Sequence, residues 1–316
     1  MKHIISLSVV SAFIGLCLVP FQASAQKQYP YGGEKIQLRD HMLSVTLVGK
    51  LDGIPGLSYQ GMEIWGNTYI SLQHTGVATL YDFNGRQISK RGSFKLASYH
   101  KTNHSNVASF GPRRYSADDP LPLLYIARCS GVKLANGMDK LFYVERIDPV
   151  GMKSQIVQTI WLNDYKHHFG GYCLGAVDRQ NEMLYMYAET TGRNHPESNR
   201  HWIMKFRLPS YSGPQDSLIV LTEDDALERY DMEDTYTFSF QPITQGATIW
   251  NNLMFLPMGV GTTQHPSVIY VIDLGSKSVR NVIDLQAAIP EELEDCTILN
   301  GDMYVQTQGH LYKITF

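Results

Sequence analysis

Short apolar runs separated by polar turns recur along the chain from Leu43 to Phe316, and few of them carry a helical period. Val77-Ala78-Thr79-Leu80-Tyr81-Asp82-Phe83 ends in Asn84-Gly85, a dipeptide that favours a two-residue hairpin because both residues accept positive φ. Leu141-Phe142-Tyr143-Val144, Trp202-Ile203-Met204-Lys205-Phe206 and Val268-Ile269-Tyr270-Val271-Ile272 have the same character. Their length and their β-branched and aromatic content predict strands.

The runs belong to a repeat. Gln60-Gly61-Met62-Glu63-Ile64-Trp65-Gly66-Asn67 returns as Gln245-Gly246-Ala247-Thr248-Ile249-Trp250-Asn251-Asn252, and again, more loosely, from Glu294-Asp295-Cys296-Thr297-Ile298. Two further copies begin near His104-Ser105-Asn106-Val107 and Tyr172-Cys173-Leu174. Each copy starts a unit of four antiparallel strands, a to d, and repetition of such units around a centre is the β-propeller design. Ser154-Gln155-Ile156-Val157, Leu218-Ile219-Val220-Leu221 and Val279-Arg280-Asn281-Val282 are read as the d strands of units two, three and four.

The fifth unit ends with its c strand at Leu311–Phe316, whereas Leu43-Ser44-Val45-Thr46-Leu47-Val48 precedes the first a strand. Pairing those two segments closes the ring and removes an open edge. The expectation is an all-β, five-bladed β-propeller over residues 43–316. Six blades is the rival, because the intervals around the third unit exceed the usual ~40–50 residues per blade.

The N-terminus departs from this pattern. Lys2 and His3 precede an apolar run from Ile4 to Leu18, which ends at the small-residue site Ala23-Ser24-Ala25. That is the layout of an export signal over residues 1–25, followed by an extension over 26–42, and it implies a periplasmic or secreted protein. A lipid anchor at Cys17 is a weaker alternative, since bulky Leu16 precedes it. No later run is long enough to span a bilayer as a helix.

Composition narrows the partners. Of 316 residues, 43% are hydrophobic and only 18% charged, with a net charge of −3. Removing residues 1–25 takes away one lysine and no acid, so the remainder is slightly more acidic. A basic nucleic-acid surface is therefore not expected, and a monomer that takes a small molecule, a glycan or a protein is. Cys129, Cys173 and Cys296 remain after the leader; three is too few for a disulfide scaffold.

Propeller geometry brings the starts of the a strands together on one face, with the b-to-c loops around them. Gln60, His74, His104, Asn106, Tyr172, His195, Gln245, His265 and Asp295 are the candidate ligand-binding residues by that placement. Glu63, Glu294 and His104 are the candidates for general acid or base work, since two axial carboxylates or a histidine could move protons there. Glu294 and Asp295 are adjacent in a strand, so only one of them can point into the axis. Calcium would choose the oxygens of Glu63, Glu294, Asp295 and Asn106; the histidines lack any spacing that fixes a metal locally. Acidic Glu223-Asp224-Asp225 and the cluster from Glu228 to Asp234 read as solvated loop, and Trp65 and Trp250, at one repeat position, as core between blades.

Thr244-Gln245-Gly246, Leu253-Met254-Phe255 and Ser267-Val268-Ile269-Tyr270-Val271-Ile272-Asp273-Leu274 resemble the first blade of plant-type glutaminyl cyclotransferases, with Tyr59-Gln60-Gly61 a shorter version. The resemblance implies five blades. The Asn-Glu-Leu-Glu and Glu-Gly-Trp-Gly motifs of that family are missing, so it carries over the architecture and not the cyclisation chemistry. As a whole the chain is similar in style to exported five-bladed propellers of the Bacteroidetes type, to which no activity attaches. The leading expectation is thus a ligand-binding, non-catalytic propeller; the alternative is a hydrolase or a cyclotransferase-like enzyme with an axial carboxylate as acid or base.

Overall fold

The computed structural model describes residues 44–315, except 168, 171, 191–199, 212, 214–216, 233–239 and 242. The predicted export signal 1–25, the extension 26–42 and His195 lie outside the described residues. Among the described residues, twenty-one strands fall into five sheets, four of four antiparallel strands and one with a fifth strand added, that form a five-bladed β-propeller.

The first strand in the chain, β1 (Ser44–Lys50), belongs to the last blade. Blade one is β2 (Tyr59–Trp65), β3 (Thr68–Gln73), β4 (Val77–Phe83) and β5 (Ile88–Lys95). Blade two follows as β6 (Val107–Phe110), β7 (Leu124–Ala127), β8 (Leu141–Asp148) and β9 (Lys153–Asn163). Blade three opens with β10 (Leu174–Asp178), β11 (Met183–Glu189) and β12 (His201–Arg207). After them come β13 (Ser217–Thr222) and β14 (Glu228–Asp231). Blade four is β15 (Thr248–Trp250), β16 (Leu253–Met258), β17 (Val268–Asp273) and β18 (Ser278–Asp284). Blade five is β19 (Leu293–Leu299), β20 (Asp302–Thr307), β21 (His310–Thr315) and, as its outer strand, β1. Ser44 pairs with Thr315 and Lys50 with His310, so the ring closes by the exchange expected from the sequence.

One strand goes elsewhere than the pattern suggests. β13 runs parallel to β9 as a fifth strand at the edge of blade two, from Ser217 opposite Gln158 to Thr222 opposite Asn163. The outer strand of blade three is β14, paired with β12. Charge accounts for this choice. Lys205 on β12 meets Glu228 at 3.0 Å, and Arg200 holds Asp231 through bonds of 2.8 and 2.7 Å, pairings that the apolar Leu218–Leu221 stretch has no groups to make. Ile219 and Leu221 instead pack against the large core cluster, while Leu218 and Val220 face outward. Residues 228–231 are therefore strand rather than loop, and Glu223 is buried in a short 3₁₀ turn over Glu223–Asp225. The long interval in the third unit holds this strand, not a sixth blade.

The five a strands, β2, β6, β10, β15 and β19, touch in turn and close a ring around the axis. Their crowding explains the repeated Gln-Gly. A Cβ on Gly61 would lie 2.8 Å from the Ser105 carbonyl, and one on Gly246 would lie 2.0 Å from Asp295 Oδ1. Both glycines use the space to bond across blades: Gly61 N–H donates to Ser105 O at 2.9 Å and Gly246 N–H to Glu294 O at 2.7 Å.

Aromatic residues fill the wedges between blades. Trp65 meets Phe110 of blade two edge-on with ring centres 6.0 Å apart, and Phe83 meets Tyr304 of blade five at 5.1 Å. Such pairs add about 0.5–1.5 kcal/mol to the apolar burial itself. Trp250 breaks the repeat: it ends the three-residue β15 and is 38% exposed, so only Trp65 of the pair packs between blades.

Candidate functional site

At the face where the a strands start, the axis opens into a cavity of about 500 Å³. Gln60, His104, Asn106, Tyr172, Gln245 and Glu294, all singled out in the sequence, line it together. Ser58, Cys129, Glu189, Ile243, Thr244, Glu292 and Gln308 complete the wall. Three carboxylates therefore face the cavity, and neither lysine nor arginine is among the described lining residues.

Each carboxylate has a neutral donor beside it. Gln308 Nε2 donates to Glu294 Oε1, Gln245 Nε2 donates to Glu292 Oε1 at 2.8 Å, and the Tyr172 hydroxyl donates to Glu189. These bonds hold the acids in place without neutralising them. Glu294 is 1% exposed, and burial, followed by the charge of Glu292, pushes its pKa well above the usual carboxylate range. Burial, then the Glu189 charge, likewise raises the Tyr172 hydroxyl. Two more acceptors are left open. Gln60 Oε1 and Asn106 Oδ1 are buried, with each residue 3% exposed, and neither oxygen has a hydrogen-bond partner. Unmet buried acceptors of this kind cost about 1–3 kcal/mol each.

His104 stands at the rim, where desolvation by its neighbours and then the nearby His74 lower its pKa. Its backbone N–H is anchored on Arg128 O at 2.9 Å. His74 is not in the wall; its Nδ1 accepts the Ser58 N–H at 3.0 Å and so braces that rim residue. His265 also stays out of the wall. Its carbonyl accepts the Val260 N–H at 3.0 Å and shapes the b-to-c loop of blade four. Cys129 reaches the cavity from a backbone with φ 44°, and burial, then Glu189, raises its thiol pKa, so it stays protonated and weakly nucleophilic.

Two of the expected axial acids lie deeper and do not reach the cavity. Asp295 Oδ2 accepts the N–H groups of Met62 at 2.9 Å and Ala108 at 3.2 Å, and Oδ1 those of Cys296 at 2.9 Å and Ala247 at 3.2 Å. Burial raises its pKa, and those donors oppose the rise. One aspartate thus pins the a strands of four blades. Glu63 accepts from Ile64 N–H at 2.9 Å, Phe110 N–H at 3.2 Å, the Thr297 hydroxyl and Arg179 Nη2 at 3.0 Å. Arg179 in turn covers the Trp65 ring, 5.6 Å from its centre. With their oxygens occupied in this way, Glu63 and Asp295 serve the ring and leave nothing for a ligand or calcium. Among the described residues, no three His, Cys, Asp or Glu side chains converge to hold a metal ion.

Glu189, Glu292, Cys129 and Gln308 were not picked out from the sequence. Two of them had a signal. Glu292 lies two residues before Glu294, on the same side of the chain by strand alternation. Glu189 is the single acid at the end of the apolar Leu184-Tyr185-Met186-Tyr187-Ala188 run.

No family model matches the chain, and no curated protein matches it by sequence. Solved structures do share its fold. A glutaminyl cyclase from Myxococcus xanthus is 11% identical over 86% of this chain and 96% of its own, with a TM-score of 0.50. A soluble aldose sugar dehydrogenase from Escherichia coli is 10% identical over 87% and 99%, with a TM-score of 0.46. A glucose dehydrogenase is 12% identical over 85% and 98%, with a TM-score of 0.46. At these identities the first likeness is one of fold, and the propeller is what the chain has in common with it.

Proposed function

We propose that the chain is an exported propeller that binds a small polar ligand in the axial cavity. The observation that carries this reading is an axial cavity large enough for a small molecule, walled by polar side chains that include Gln60 and Asn106, each with a buried carbonyl oxygen that lacks a partner. Propeller blades hold such a wall rigid, so little ordering cost accompanies binding. Mass spectrometry of molecules retained by the purified full-length protein tests it. A small molecule retained by the wild type and lost on Asn106→Leu is the expected result; equal retention by both would place binding elsewhere. Export is tested by sequencing the mature N-terminus, expected after Ala25.

A second reading is favoured by one feature, the buried Glu294 at the cavity wall. Burial raises its pKa and so favours the protonated form that a general acid requires. The fold shared with a glutaminyl cyclase makes N-terminal glutaminyl peptides one substrate to try, and aryl glycosides another. Turnover that disappears in Glu294→Gln would support the enzyme; no turnover of either class leaves ligand binding as the function.

A further inference from the structure

Binding at the mouth leaves the ligand's chemistry open, and the wall narrows it. Glu189, Glu292 and Glu294 all line the cavity, and the neighbouring Gln60 and Asn106 have buried carbonyl oxygens without a partner. No lysine or arginine stands among the described lining residues to receive an anion. The acids do not form a three-ligand metal site. Their neutral partners, Gln245, Gln308 and Tyr172, fix them in separate places around the wall. A ligand that satisfies this wall needs several donors spread over a few ångströms, with positive charge on at least one.

Resting on the binding reading above, we infer that the cavity takes a small organic cation, a primary amine with further N–H or O–H donors, its ammonium group set between Glu292 and Glu294. Anions are repelled, and neutral polyols forgo the charge-assisted bonds, which are roughly twice as strong as neutral ones. Burial favours the protonated form of Glu294. An arriving ammonium favours the ionised form, so the amine enters as its cation, Glu294 becomes a carboxylate, and one proton leaves to solvent. Neither charge nor atoms are left over in that exchange.

The test is calorimetric titration of the full-length protein with two matched pairs: glucosamine against N-acetylglucosamine, and putrescine against 1,4-butanediol. Each amine should bind about tenfold or more tightly than its neutral counterpart, the advantage expected of a charge-assisted contact. In Glu292→Gln, at a half-buried position, that advantage should narrow. Heats measured in buffers of different ionisation enthalpy should report proton release in the wild type and none in Glu294→Gln. Neutral members that bind as well as the amines would overturn the amine assignment while upholding the cavity as a binding site. If no member of either pair bound while a retained neutral or anionic molecule was found, the amine assignment would again fall. No binding and no retained molecule would overturn both readings.

Discussion

Glu294 and Asp295 are consecutive, equally buried, and both held above the usual carboxylate range, yet they do opposite things. Strand alternation turns Asp295 toward the ring of a strands, where four backbone N–H groups use up its oxygens. Glu294 turns toward the cavity and receives one side-chain amide. The deep end of the axis thus uses its carboxylates to hold the fold, and the shallow end leaves them along the cavity wall. A buried acid is informative about function only after its partners are known.

The contrast predicts a graded series of effects. Asp295→Asn replaces an acceptor oxygen with an NH₂ group that faces backbone donors, and should cost about 4 kcal/mol in urea unfolding, since unmet buried donors cost roughly 1–3 each. An unchanged midpoint would remove Asp295 from its place as the pin of the ring. Gly246→Ala forces a methyl to within 2.0 Å of Asp295 Oδ1 and should cost about 3 kcal/mol by the same measurement, at the upper end of overpacking effects.

Glu294→Gln should have the opposite sign near neutral pH. Because the folded pKa of Glu294 is raised, its contribution to stability is complete below the unfolded value and is lost as pH rises toward the folded one. The variant should therefore match the wild type near pH ~4 and exceed it by about 1 kcal/mol near pH ~8. Thermal unfolding across that range decides it, and a variant less stable at high pH would count Glu294 with the structural acids. Glu292→Gln, half-buried at the rim, should stay within about 0.5 kcal/mol of the wild type at any pH, so that changes in its binding are not changes in its folding.

Much of the architecture was legible because propellers repeat. Gln60-Gly61 and Gln245-Gly246 mark equivalent strands, and the missing last strand pointed to the segment Leu43–Val48 as its replacement. The strand at Leu218–Leu221 was visible, but not the sheet that would take it. That depended on Lys205 and Arg200, whose partners Glu228 and Asp231 look like loop residues until a neighbouring strand is present. Trp250 looked like Trp65 for a related reason: a repeat position predicts a place in a blade, not how far the adjacent blade extends to cover it.

The cavity was legible in part. Gln60, His104, Asn106, Tyr172, Gln245 and Glu294 came together because strand starts must converge. Glu189 and Gln308 were missed because they come from strand b and its following turn, and their approach depends on blade tilt, which no local pattern records. Glu63 was misplaced for the complementary reason. It occupies an a strand, but three residues further along than Gln60, and that distance carries it to the part of the axis where Arg179 waits.

The pairing of Ser44 with Thr315 also gives the molecule a temporal order. Four blades can assemble from neighbouring segments as the chain becomes available, but the fifth needs both extremes of the propeller at once. Its loop closure spans the whole domain, the slowest kind of contact for a chain to find. Until then Leu311 and Ile314, which end up buried, have no outer strand beside them. Completion of the ring is thereby deferred until the last strand of the propeller is available.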